Sequence, residues 1–240
     1  MVAPINFGQG INIEQGIKAG NFAAVPTLEL SLDAATYSGS GDWVDSVGSK
    51  SFVLYNSPTW SNSVGGGSFL FDPASSQYAA CTSSLSNLYN WSVEVWHYYT
   101  GNNSGGYSPC IITEVYPGST SNINYALGSV TDNDPALSAA FFDGGWETTG
   151  AITLTANNWY QIVGTYDGAT VKLYLNGTMV QQSPATGSAI SSQGGINLMK
   201  RWDNPEYWGG RLASVKIWNG DINFEGVRGS WLQNKARYGL

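Results

Sequence analysis

The stretch Trp159-Tyr160-Gln161-Ile162-Val163-Gly164-Thr165-Tyr166, followed by Asp167-Gly168 and then Val171-Lys172-Leu173-Tyr174-Leu175 into Asn176-Gly177, narrows the choice of folds more than any other. Its β-branched and aromatic runs favour extended backbone. Asp-Gly and Asn-Gly supply residues that tolerate positive φ, as tight hairpin turns require. Val171, Leu173 and Leu175 fall on one face of the second strand, with Lys172 and Tyr174 on the other. That alternation predicts a half-buried strand of an antiparallel sheet.

The rest of the chain from Thr27 onward follows suit: short β-rich runs are broken by Gly, Pro, Asn and Ser, and no long stretch keeps a 3.6-residue period. Arg211 to Trp218 predicts a closing strand with Ala213, Val215 and Ile217 on one face and Ser214 and Lys216 on the other. Asn223 is placed to cap a short helix through Glu225, Val227, Trp231 and Leu232, weakened by Gly226 and Gly229 at about 1 kcal/mol each. With 240 residues, one large all-β domain accounts for the whole length. Charged residues make up only 11%, so the polar surface is built mostly from uncharged groups.

A net charge of −7 argues against a nucleic-acid partner, which needs Lys and Arg gathered on one face. No apolar run approaches the roughly 18 residues of a membrane span, so membrane insertion is not expected. Met1–Gly20 lacks the pattern of a signal peptide. Cys81 and Cys110 are too few for a disulfide scaffold, and with a single histidine they exclude a Cys/His zinc site. Two buried thiols or one bridge remain as alternatives. In the first twenty residues Gly8-Gln9-Gly10-Ile11-Asn12-Ile13 is followed by Glu14-Gln15-Gly16-Ile17-Lys18-Ala19, two imperfect copies of one unit. Too few to stack alone, they read either as an arm ordered by a neighbour or as a loose terminus. The expected division is an arm over residues 1–25 and one domain over 26–240, which includes the helical tail.

Several stretches, in order, resemble one family. Leu30-Ser31-Leu32-Asp33-Ala34, Tyr37-Ser38-Gly39-Ser40-Gly41 and Trp43-Val44-Asp45-Ser46-Val47-Gly48 are similar to the opening of laminin-G-like, concanavalin-A-like jelly-roll domains in phage virion proteins. Asn56-Ser57-Pro58-Thr59-Trp60, Ser68-Phe69-Leu70-Phe71-Asp72 and Gln77-Tyr78-Ala79 continue the likeness. Ser92-Val93-Glu94-Val95-Trp96 resembles the family's central strand, Trp159 through Gly177 its hairpin, Gly210 through Trp218 its closing strand, and Ala236-Arg237-Tyr238-Gly239 a C-terminal signature of phage members. The likeness spans roughly residues 28–240, and the Gly-Ile-x-Ile arm is similar to segments preceding such domains in phage structural proteins. It implies a two-sheet antiparallel jelly-roll sandwich with an extended N-terminal arm and a short C-terminal helix, carried on a virion. The arm would contact other virion proteins, and the protein would form homo-oligomers.

Glycoside hydrolases occur on this fold and need two carboxyl groups about 5 to 10 Å apart, carried in the related glucanases at alternate positions of one strand. Here Glu94 is followed by Trp96 with no second acid at that spacing, and Glu114 is the only other carboxylate near it in sequence. His97, the sole histidine, sits among aromatics and reads as structural, so a Ser-His-Asp triad is not expected. No nucleotide-binding or nucleophile-elbow motif is present. The chain is therefore expected not to be an enzyme. Family members often hold Ca²⁺. Asp132-Asn133-Asp134 is the densest group of oxygen ligands, so Asp132 and Asp134 are the metal candidates, with a plain turn as the alternative.

Ten Trp and fourteen Tyr exceed what one core needs. Flat rings stack on the apolar faces of sugars while neighbouring polar groups bind the hydroxyls. Arg201, Trp202, Asp203 and Asn204 in one loop, and Asp143 with Trp146 in a Gly-rich turn, are the candidate ligand-binding residues; Tyr207 and Trp208 are expected to be partly buried. The expected role is a virion protein binding host-surface glycans in attachment. Two readings remain beside it: a purely architectural capsid or tail decoration protein, and a secreted carbohydrate-binding module.

Overall fold

The computed structural model describes residues 25–85, 88–103, 109–115, 123–129, 136–187, 194–201 and 205–240. The expected N-terminal arm and the Asp132 and Asp134 candidates lie outside the described residues, as do Trp202, Asp203 and Asn204. In chain order the strands are β1 (Thr27–Asp33), β2 (Trp43–Val44), β3 (Ser51–Tyr55), β4 (Thr59–Ser61), β5 (Ser68–Phe71), β6 (Tyr78–Cys81), β7 (Trp91–Asn103), β8 (Cys110–Val115) and β9 (Ile123–Gly128). Then come β10 (Ala136–Phe142), β11 (Trp146–Thr148), β12 (Ile152–Thr153), β13 (Asn158–Tyr166), β14 (Thr170–Leu175), β15 (Thr178–Pro184), β16 (Ile196–Leu198) and β17 (Trp208–Asn219), followed by helix α1 (Asn223–Asn234).

These strands form two sheets, antiparallel at every pairing among the described residues. The first sheet has eight strands in the order β15-β14-β13-β7-β17-β5-β4, with β1 also on β17. The second has nine, in the order β11-β10-β9-β8-β16-β6-β3-β2, with β12 on β10. Between them lies one core that includes Leu30, Phe52, Phe69, Val93, Tyr125, Phe141, Leu173 and Ile217. Two sheets packed over their apolar faces are the expected sandwich.

The hairpin forms as its residues dictate: Val163 pairs with Tyr174 and Tyr166 with Val171, and Gly168 and Asn176 take positive φ in the turns. Two expectations need correction. Tyr174 lies on the predicted solvent face yet is buried, because α1 covers that face with Val227 against Val163 and Tyr174. Along β17 a register shift between Leu212 and Ser214 breaks the alternation. Leu212, Val215 and Ile217 point into the main core, whereas Ala213 packs outside with Trp96 and Tyr238. A bulge re-aims side chains in this way.

The helical tail forms where the sequence suggested. Asn223 takes positive φ, and its Oδ1 accepts from the Glu225 and Gly226 N–H groups at 2.9 and 3.2 Å. Those are donors that a helix start leaves unsatisfied. The tail is fastened to the first sheet by rings: Trp96 stacks on Trp231 at 5.6 Å and on Tyr238 at 4.2 Å. Arg237 adds a two-pronged ion pair to Asp33, at 2.8 and 2.7 Å, and a bond from Nε to the Gly65 carbonyl at 2.8 Å. Burial pushes the Asp33 carboxyl up, but the Arg237 bonds and the Ala35 N–H outweigh it and hold it below its usual range. Cys81 and Cys110 are both buried, and no disulfide joins them. Among the described residues, no helix is long and apolar enough to cross a membrane.

Candidate functional site

The two buried glutamates are placed apart. Glu94, on the central strand β7, points outward beneath α1. Its Oε1 accepts from Trp96 Nε1 at 3.1 Å and Ser230 Oγ at 2.9 Å, and its Oε2 from Gln161 Nε2 at 3.1 Å. Glu114 faces the other way, into the core. It pairs with Tyr125 and Ile196, both core residues, and its Oε1 accepts from the Leu85 N–H at 2.6 Å. A sheet separates the two carboxylates, and each is at most 1% exposed. His97 is fully buried. Its Nδ1 donates to the Arg211 carbonyl at 2.9 Å and its Nε2 accepts from Trp208 Nε1 at 3.0 Å, which fixes the tautomer. Burial holds its pKa down at about 3, although the Arg211 bond opposes this. The ring is neutral and structural.

The outer face of the second sheet has a different character. Register aligns Thr148, Ala140, Ala126, Thr113, Asn197, Ala80 and Val53 in one row across seven strands. At the spacing of neighbouring strands the row is about 29 Å long, and its side chains are short. The middle of the row is buried at Ala140, Ala126 and Thr113, while Asn197, Ala80 and Val53 reach solvent at one end.

Beside that open end stand two tyrosines. Tyr55 and Tyr78 are cross-strand partners on β3 and β6, and their rings stack at 4.4 Å with an interplanar angle of 1°. Tyr55 is 37% exposed. On the far side of Tyr78, Lys200 Nζ lies 4.4 Å from the ring centroid. Lys200 is held there by a bridge to Tyr207, and Arg201 extends the same arm through an ion pair to Glu206 at 3.0 Å. Tyr207 is 8% exposed and Trp208 fully buried, deeper than expected because Trp208 packs with Tyr99 and His97.

Trp146 is 38% exposed, with its ring edge-on to Phe142 at 5.5 Å, and Asp143 sits in the turn before it. The two candidate loops do not converge. Strand directions put Asp143 beyond the end of β10 and Arg201 beyond the opposite end of β16, three strands away. That is a separation of about 25 Å by strand rise and spacing. Sequence reasoning missed both tyrosines: Tyr78 stood in a motif quoted only for the family resemblance, and Tyr55 lay just before another, Asn56 to Trp60.

A second opening lies at one end of the sandwich. It is a cleft of about 470 Å³ lined by Val25, Tyr89, Asn90, Asp167, Asp221 and Asn223, among others. Lys172 Nζ sits between Asp167 Oδ2 at 2.6 Å and Asp221 Oδ2 at 3.2 Å, so these carboxylates already hold a cation. Elsewhere Asp45 accepts from Ser31, Val47 and Gly48 N–H groups, and Asp72 from Ala74, as turn residues do. No group of three or more His, Cys, Asp or Glu among the described residues could hold a metal ion.

A jelly roll of two antiparallel sheets defines the concanavalin-A-like class of binding and glucanase domains. The laminin-G family model described as "Concanavalin A-like lectin/glucanases superfamily" matches residues 73–227, and the chain belongs to this family. Among solved structures it is similar to domain 4 of AbnA, a GH43 extracellular arabinanase from Geobacillus stearothermophilus, in complex with arabinotriose. There the TM-score is 0.70 and identity 13%, over 85% of this chain and 98% of that one. It is also similar to the binding domain of botulinum neurotoxin serotype G, with TM-score 0.65 and identity 15%, over 85% of this chain and 50% of that one. A Trypanosoma rangeli sialidase in complex with sialic acid gives TM-score 0.66 and identity 15%, over 90% and 34%. These likenesses are of fold. No curated protein matches the chain in sequence.

Proposed function

We propose that this is a non-catalytic, lectin-like domain carried on a phage particle, and that it binds host-surface glycans during attachment through the outer face of the second sheet. The observation that carries the glycan reading is the stacked Tyr55–Tyr78 pair at the open end of a row of short side chains. The exposed ring of Tyr55, held rigid by its stack on Tyr78, offers a flat face to a sugar ring beside a low floor, and Asn197 and the Arg201 arm offer hydrogen bonds to hydroxyls. The arabinotriose bound to the AbnA domain is in keeping with a ligand of this kind. The non-catalytic reading is supported by the placement of Glu94 and Glu114, buried on different sheets and engaged by structural donors. The virion setting, and an arm over residues 1–25 that contacts other virion proteins, rest on the ordered sequence motifs and the Gly-Ile-x-Ile segment.

A second reading, a decoration protein that binds no sugar and works as a homo-oligomer, draws on Phe224 and Leu232, two large apolar side chains exposed on α1. A glycan array separates the two. Selective retention that is lost in Tyr55→Ala and kept in Phe224→Ser supports attachment; a blank array on folded protein favours decoration. Loss of retention with EDTA would point to Ca²⁺ at the site.

A further inference from the structure

Lys200 is a partly buried cation that forms no ion pair among the described residues. Its ammonium lies instead 4.4 Å from the centroid of the Tyr78 ring. Three other cations are paired: Arg201, next in the chain, with Glu206, and, elsewhere in the fold, Lys172 with Asp167 and Asp221 and Arg237 with Asp33. A charge taken partly out of water costs free energy unless a partner repays it. Burial accordingly pulls the Lys200 ammonium below its usual pKa range. The face of an aromatic ring repays only part of that cost.

The position matters as much as the charge. The short bridge Lys200–Tyr207 and the Tyr55–Tyr78 stack set the ammonium at the same end of the sheet as Asn197 and Ala80, the exposed part of the row. An oligosaccharide with one ring on Tyr55 and the next running along the floor past Tyr78 would meet Lys200. The chain's net charge of −7 does not forbid an anion there, because charges farther away than about 8 Å are largely screened at physiological salt.

We infer that this face prefers glycans bearing an acidic group, with Lys200 as the residue that reads the acid and Tyr55–Tyr78 as the platform for the sugar ring. This rests on the glycan-binding reading and narrows it. Neutral sugars would bind the same platform more weakly. Lys200 supplies specificity, since a hydrogen bond to a charged group is stronger than one between neutral groups.

The test is titration calorimetry of the full chain with an oligogalacturonate hexamer, the same hexamer after carboxyl reduction, and a sulfated neutral hexamer, on wild type, Lys200→Met, Lys200→Arg and Tyr55→Ala. The expected result is that wild type prefers the carboxylated over the reduced hexamer by about tenfold or more. Lys200→Met should abolish that preference, Lys200→Arg should keep most of it, and Tyr55→Ala should weaken both ligands together. Preference for the sulfated hexamer with the same Lys200 dependence would uphold an acid reader and name sulfate as its source. Equal binding of carboxylated, sulfated and reduced hexamers by wild type, or an acid preference that persists in Lys200→Met, would overturn the inference and leave the glycan reading standing. No binding of any hexamer by folded protein would overturn both.

Discussion

Replacing Glu94 with alanine should destabilise the fold by about 3–5 kcal/mol. The side chain is 1% exposed and receives hydrogen bonds from Trp96, Ser230 and Gln161, at 3.1, 2.9 and 3.1 Å. Each buried donor left without an acceptor costs about 1–3 kcal/mol. Ser230 lies near the edge of α1 and can turn toward water, so its share falls at the low end. Trp96 and Gln161 have no such exit, and a truncated side chain leaves a void beneath the helix. Glu94→Gln should cost far less, about 1–2 kcal/mol, because Gln161 can rotate and present its Oε1 to the new amide. Urea unfolding followed by tryptophan fluorescence measures both variants, and a Glu94→Ala/Ser230→Ala cycle should show a coupling of about 1 kcal/mol. A Glu94→Ala variant within 0.5 kcal/mol of wild type would refute the reading of this carboxylate as a structural acceptor. A folded Glu94→Gln protein should also bind glycans like wild type, which a glutamate that binds ligand through its charge would not allow.

His97 titrates at about 3 in the fold against about 6.5 unfolded, so the unfolded state binds more protons between those values. Stability attributable to it is complete above pH 6.5 and falls with acidification, by about 1 kcal/mol per pH unit between pH 6 and 4.5. His97→Gln, which can keep both hydrogen bonds, should flatten that slope in urea titrations; an unchanged slope would count against a neutral buried ring. A Cβ added at Gly164, within β13, would meet Leu127 Cδ2 at 2.6 Å and Ala139 Cβ at 3.0 Å, so Gly164→Val should cost at least about 1–3 kcal/mol by overpacking. A thermal melt at or above the wild-type midpoint would be the contrary result. Cys81 and Cys110 should resist a thiol reagent in the native protein and react in denaturant, with no mass change on reduction.

The hairpin at Asp167-Gly168 and the Asn223 cap were legible because their causes are local: turn residues that accept positive φ, and a side chain able to bond first-turn N–H groups. The fate of Tyr174 was not, since its cover arrives from a helix fifty residues away. Ala213 was misassigned for a related reason, because a bulge is set by pairing and leaves no mark in apolar alternation. The site was least visible. Tyr55 and Tyr78 become a stack only through the β3–β6 pairing, and the row from Thr148 to Val53 exists only once seven strands are in register. Arg201 and Trp146 were chosen for their local chemistry. Strand direction, a property of the whole sheet, then set their loops at opposite ends.

The most direct test of the account is an amide NMR titration of the full chain with the oligogalacturonate hexamer, read residue by residue. Saturable shifts are expected to cluster at residues 53–55, 78–80 and 197–201 and to vanish in Tyr55→Ala. Shifts confined to the cleft at Tyr89, Asp167 and Asp221, or to the turn at Trp146, would place the ligand elsewhere and contradict it.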